Sequence, residues 1–174
     1  PVTGAVYLAL TNSNASSRTL ASTDGANPRH YRDPKGGYGN PNGHVVRWKE
    51  SSPEVTSFRW DVFLFGARAS ADATNVNVSA LTDDNDFSSP DGLWFSEASN
   101  ICWIQTDDSA YTDVTNCMLL AALPGEVGDG GARTITNTDA NGATKQVQTY
   151  VGAKLPAAKL KRFLVGVKGC ELTG

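Results

Sequence analysis

Seven short apolar bursts, six of them rich in β-branched or aromatic residues and all closed off within a residue or two by Gly, Asn, Asp, Ser or Pro, most narrow what this chain can fold into. They fall at residues 4–10 (GAVYLAL), 44–49 (HVVRWK), 57–65 (SFRWDVFLF), 92–95 (GLWF), 101–105 (ICWIQ), 117–122 (CMLLAA) and 160–167 (LKRFLVGV). An isolated helix needs roughly 12–15 residues to be even marginally stable, and none of these runs reaches that length. Short bursts with turn residues between them are the punctuation of an all-β chain. In SFRWDVFLF, Phe58, Trp60, Val62 and Leu64 alternate with Arg59 and Asp61, the period-2 pattern of a strand with one face buried. Phe63 and Phe65 put apolar groups on the other face too, so the far half of this strand is predicted to be covered on both sides.

One strand pair reads in more detail. PDGLWFSEASNICWIQTD begins with a Pro-Asp-Gly turn, continues as a strand, crosses a polar tetrapeptide and returns as a strand ending in Thr-Asp. That is the layout of the inner hairpin of a propeller blade. PVTGAVYLALTN matches the second half of the same unit, which makes a weak internal repeat. The expected architecture is therefore a partial β-propeller of roughly two blades with long inserted loops at 11–43, 67–90 and 124–145. Within the second loop, Val76 and Val78 alternate with asparagines and suggest a short strand over 71–81.

The 174 residues suffice for a single domain with a sizeable core. Lys and Arg number 15 against 18 for Asp and Glu, a net charge of -3, which gives no attraction to nucleic acid or to an anionic membrane. No apolar run approaches the roughly 20 residues of a helical membrane span. Cys102, Cys117 and Cys170 fit no zinc-ligand spacing, and two readings stay open for the first two: a disulfide across a hairpin, or isolated buried thiols. Cys170 reads as a buried thiol. Motifs for a nucleophile elbow, a zinc protease, a Walker loop or a dinucleotide fold are absent. Two stretches suggest calcium. NTDANG at 137–142 spaces its oxygens suitably but has Gln148 where a calcium loop needs a bidentate Glu, and its Asn141-Gly142 is a favoured type I′ hairpin pair. TDDNDFSSPDG gathers Asp83, Asp84, Asp86 and Asp91, as a solvated loop or a hard-cation site.

Eight stretches taken in order carry more than any one of them. GAVYLALTN, ANPR at 26–29, NGHVVRW at 42–48, FRWDVFLFG at 58–66, SPDGLWF at 89–95, CWIQTDDS at 102–109, MLLAALPGE at 118–126 and RFLVGVKGCELTG at 162–174 together resemble the PhoX family of bacterial alkaline phosphatases. The resemblance implies an exported, monomeric phosphomonoesterase built as a β-propeller, periplasmic or extracellular, with calcium and iron at its active site. Carried onto this sequence, it implies Glu171 and Asp91 as metal ligands, with Asn12, Asn27 and Asp107 as further metal or polar groups. It implies Arg29 and Lys168 as phosphate-binding cations. The Cys-Glu-Glu and Arg-Pro-Glu stretches that supply further groups in the family are absent, and the chain stops abruptly after Glu171. Residues 1–174 are therefore expected to be a fragment of one propeller domain, inactive in isolation. Two other readings stay open: a non-enzymatic, calcium-stabilised extracellular β-module built on Asp83 to Asp91, and another metal-dependent propeller hydrolase of the lactonase or phytase kind.

Overall fold

The structure is a computed structural model describing residues 4–14, 17–35, 37–107, 117–152 and 160–167. All seven bursts lie on strands, and four further strands accompany them. In chain order they are β1 (Val6–Leu10), β2 (Tyr31–Asp33), β3 (Gly37–Gly39), β4 (His44–Glu50), β5 (Phe58–Phe65), β6 (Pro90–Ser96), β7 (Ile101–Thr106), β8 (Met118–Ala122), β9 (Gly131–Thr138), β10 (Thr144–Val151) and β11 (Leu160–Val165). The only helical element among the described residues is one 3-10 turn, Leu20–Ser22. The all-β expectation holds. The strands form three sheets, ordered β1-β4-β5-β10-β9, β11-β8-β7-β6 and β2-β3, and none closes on itself.

The two larger sheets are held together by a shared core. Val45, Phe63 and Leu64 from one meet Cys102, Ile104, Met118, Leu120 and Leu160 from the other, with Leu81 and Phe87 from the intervening segment. Tyr7 on β1 bridges them directly, its ring 5.5 Å from Phe63 and 4.7 Å from Phe95. A second cluster, Val46, Val62, Phe65 and Ile135, lies on the other face of β4 and β5. The expected two-sided burial of β5 is thus present, but the alternation breaks. Val45 pairs with Leu64 and Val46 with Val62, which leaves Phe63 as the extra residue of a bulge. The bulge puts Phe63 and Leu64 into the same cluster, whereas strict alternation assigns Leu64 to the face of Val62.

Asp61 is not the solvent-facing residue its place in the pattern suggests. It and its cross-strand partner Arg47 are both fully buried. Arg47 Nε and a terminal nitrogen donate to the two Asp61 oxygens at 2.9 and 3.1 Å. The same guanidinium donates to the carbonyls of Pro124 and Glu126, and the Gly128 amide donates to Asp61. Its plane lies over the Phe63 ring at 4.6 Å. This pair clamps the segment leaving β8 onto β4 and β5, with every strong group answered.

Several local expectations are corrected. The Pro-Asp-Gly stretch is not a turn but the start of β6, with a bulge between Pro90 and Leu93. Residues 71–81 are turns rather than a strand, because Asp72 captures the local amides: its carbonyl accepts from Val76 and Asn77, its carboxylate from Thr74 and Asn75. Such side-chain bonds compete with a sheet ladder. Within the loop expected at 124–145, β9 forms and pairs with β10 along its full length. Their buried positions are Ile135, Asn137, Val147 and Thr149, so half of the inward residues are polar and the alternation escapes a hydropathy reading. Asn137 takes the His30 amide and donates to Pro28 O at 2.8 Å, while Thr149 Oγ1 donates to Gly25 O at 2.6 Å. The hairpin is closed at Asn141 and Gly142, as the sequence suggests, but only Gly142 has a positive φ, of 80°. With Gly142 N bonded to Asp139 O and Asp139 N to Ala143 O, this is a type I turn with a glycine bulge, not a type I′ turn. Cys102 and Cys117 are buried and form no disulfide, which removes the reading of a bridge across the hairpin.

Candidate functional site

The ends of β1, β5 and β7 and the beginnings of β4, β6 and β8 meet along one edge of the two large sheets. A row of backbone bonds joins them: Gly66 N to Gly43 O at 3.0 Å, Ser89 N to Asn42 O at 2.9 Å, and Asp107 N to Ser89 O at 3.0 Å. Gly43, at a φ of 64°, has no room for a Cβ, which would strike the carbonyls of Leu10 and Thr11. Ser89 holds a φ of 51°, a left-handed conformation uncommon outside glycine, asparagine and aspartate. The tight crossing of β1 over β4 and the strained approach to β6 bring the strand ends to a common line.

Four of the residues singled out in the sequence gather along this line. Asn12 Nδ2 donates to Ser89 Oγ at 3.3 Å and the Asp107 backbone amide to Ser89 O, so the ends of β1 and β7, from two different sheets, are tied to the same residue. Asp91 lies two residues further on, exposed, as is Asp107. Arg29 is fully buried directly behind the row. Its guanidinium donates to Gly66 O (2.9 Å), Gly43 O (2.6 Å), Val76 O (2.7 Å) and Asn40 Oδ1 (2.8 Å), and rests on the rings of Tyr31 and Phe65. In this arrangement Arg29 braces the edge from inside. Asn27 stands off the line, its Oδ1 3.4 Å from Asn40 Nδ2. Lys168, Cys170 and Glu171 lie outside the described residues.

Sequence reasoning missed the polar layer that carries this edge. His44 is fully buried, donating from Nε2 to Ala26 O and accepting at Nδ1 from Asn40 Nδ2, both at 2.8 Å. Burial and the neighbouring Arg29 charge push its pKa down to about 3, so the ring is neutral across the physiological range. Tyr31 is pushed up to about 12, mainly by burial, and its hydroxyl donates to Asn42 Oδ1. Ser88 and Ser89 are fully buried with their Oγ atoms 3.1 Å apart. The one signal available in the sequence was the Asn42-Gly43-His44 run, a glycine between two polar residues at the head of an apolar strand.

His44 yields a signed pH prediction. Its folded pKa lies below the ordinary value of 6.5, so its contribution is fully present above that value and is lost as pH falls toward about 3. The stability is expected to fall by about 1.4 kcal/mol per pH unit over that window from this group alone. Urea melts from pH 7 to pH 4 are expected to show that slope, and His44→Gln to flatten it.

Chemically, the edge offers two exposed carboxylates and an amide, the hard oxygen donors suited to a cation of calcium or iron type. Among the described residues, however, no three of His, Cys, Asp and Glu come together as a metal cluster. Of the Asp83 to Asp91 run, Asp86 is spent on Arg162 and on the Ala69 amide, and Asp83 lends its carbonyl to Arg162. That run ties β11 to the preceding loop and does not form a calcium cage. The described residues alone do not make a metal centre, and Cys102 is held as a neutral thiol, its pKa pushed up to about 12 by burial.

Fold and edge together define an all-β protein of open sheets with its oxygen donors at the ends of the strands. The chain belongs to the alkaline phosphatase PhoX family, whose model matches residues 1–174. No curated protein and no solved structure matches it. The family is one of metal-dependent phosphatases, hydrolases that act on phosphate monoesters.

Proposed function

We propose that the protein hydrolyses phosphate monoesters at the edge where β1, β6 and β7 meet. The observation that carries this reading is that the Asn12 side chain and the Asp107 backbone amide both bond Ser89, in a chain matched throughout by the phosphatase family. The four-stranded meander β6-β7-β8-β11 supports a blade of a propeller, with β1-β4-β5 as part of a second. Calcium and iron are the proposed ions, with Asp91 and Glu171 as ligands, Asp107, Asn12 and Asn27 as further oxygen donors, and Lys168 as a phosphate contact. Bound there, the ions would neutralise charge developing on the phosphoryl oxygens. The 174 residues are proposed to be an incomplete part of the enzyme, because they lack the Cys-Glu-Glu and Arg-Pro-Glu stretches that the family resemblance implies. The compartment is proposed to be periplasmic or extracellular.

The test is release of p-nitrophenol from p-nitrophenyl phosphate by the 174-residue chain and by the full gene product, before and after chelation and with calcium and iron restored. Activity is expected in the full product only, falling at least 100-fold on chelation and in Glu171→Gln. Turnover by the 174-residue chain would overturn the incompleteness, and a full product inert toward every monoester would overturn the function.

A further inference from the structure

A second polar site uses none of the carboxylates of the strand-end edge. The β2-β3 hairpin, the turn at 72–76 and the outer edge of β9 enclose a crevice of about 280 Å³. Its walls are tightly fastened: Thr138 N donates to His30 O, Thr136 N to Asn75 Oδ1, and Arg133 to Thr74 O. His30 lines it with only 4% of its surface exposed, yet its Nδ1 has no hydrogen-bond partner among the described residues. A buried, unanswered imidazole nitrogen costs stability unless something fills the position. The Tyr38 ring lies 6.1 Å from the His30 ring and nearly parallel to it, at 26°.

The chemistry of the walls narrows the occupant. Arg32 is exposed at the crevice with no bonded partner among the described residues, against two carboxylates, Asp72 and Asp139. Burial and Arg18 lower the His30 pKa and favour its neutral form, so the crevice carries more negative than positive charge. That balance disfavours phosphate or a carboxylate. A metal ion is disfavoured as well, since no group of three ligating side chains exists among the described residues. What remains is a neutral ligand able both to give and to take hydrogen bonds. Asp139 Oδ1 already accepts from Asn141 and Ala143, and the Asp72 oxygens from their own turn, but carboxylate oxygens retain lone pairs for a further hydroxyl. A hydroxyl also answers Nδ1 in either tautomer, and the flat faces of His30 and Tyr38 suit the C–H face of a ring.

We propose that this crevice binds a single uncharged sugar ring, with His30 Nδ1, Asp72 and Asp139 engaging its hydroxyls, Arg32 donating from the rim and Tyr38 lying against its face. Its test is a binding measurement that does not depend on turnover. Calorimetric and NMR titrations of the protein with methyl glucoside, methyl galactoside and methyl mannoside are expected to show saturable millimolar binding of at least one. Arg32→Ala, an exposed substitution that leaves the fold intact, is expected to weaken it about 10-fold, and His30→Phe to abolish it with melting checked in parallel. Inorganic phosphate is expected not to compete. Absence of saturation by all three glycosides, equal binding by Arg32→Ala, or displacement by phosphate would each overturn the proposal.

Discussion

Asp61→Ala is expected to lower the unfolding free energy by about 3–5 kcal/mol. Arg47 and Asp61 are both fully buried, and removing the carboxylate strands a guanidinium that cannot lose its proton. The Gly128 amide loses its acceptor at the same time. In a domain of this size that corresponds to a drop in melting temperature of about 6–20 °C. Urea unfolding measures it directly, with an unchanged m-value showing that stability alone has moved. The double substitution Arg47→Met with Asp61→Leu is expected to recover much of the loss, because the cost lies in the unpaired charge rather than in the absence of the pair. A double variant no better than Asp61→Ala would show instead that the clamp on the Pro124 and Glu126 carbonyls dominates.

Arg29→Leu is expected to cost a similar amount, about 3–5 kcal/mol, by a different route. It removes one cation and leaves three backbone carbonyls, of Gly43, Gly66 and Val76, and the Asn40 amide oxygen without their donor. Arg29→Lys is expected to restore little, since one ammonium cannot span the spread of acceptors a planar guanidinium reaches. The measurement that separates bracing from phosphate contact is the pairing of thermal melts with kinetics on the full gene product. Bracing lowers the melting temperature in both variants. Contact with phosphate would raise KM while leaving the melt where it was.

How much could be read without coordinates differs sharply between elements. The strands at 58–65 and 101–106 announce themselves because their residues are apolar and β-favouring, so local preference and burial agree. The β9-β10 hairpin was invisible except at its Asn-Gly turn, because Asn137 and Thr149 occupy inward positions that a hydropathy pattern assigns to solvent. The 71–81 stretch misled in the opposite sense: two valines suggested a strand, while Asp72 and Asn77 closed turns on their own neighbours. For the site, family resemblance named Asn12, Asp91, Asp107 and Arg29, but nothing in their spacing showed that Asn12 and Asp107 meet at Ser89, 77 positions along from Asn12.

Amphipathic period, burst length and turn chemistry are local properties, and they alone determined that this chain is all-β and where most of its strands run. Ordered motifs placed it among the alkaline phosphatases. Which charges are buried, which strands share a sheet and which polar groups stand together are properties of contacts between distant segments. Only the tertiary structure decided that Asp61 faces Arg47 in a dry core, that Arg29 props the strand ends, and that His30 lines a crevice with one nitrogen unanswered. The physical reason is that a polar side chain carries the same local signal whether it meets water or a partner brought from a hundred residues away.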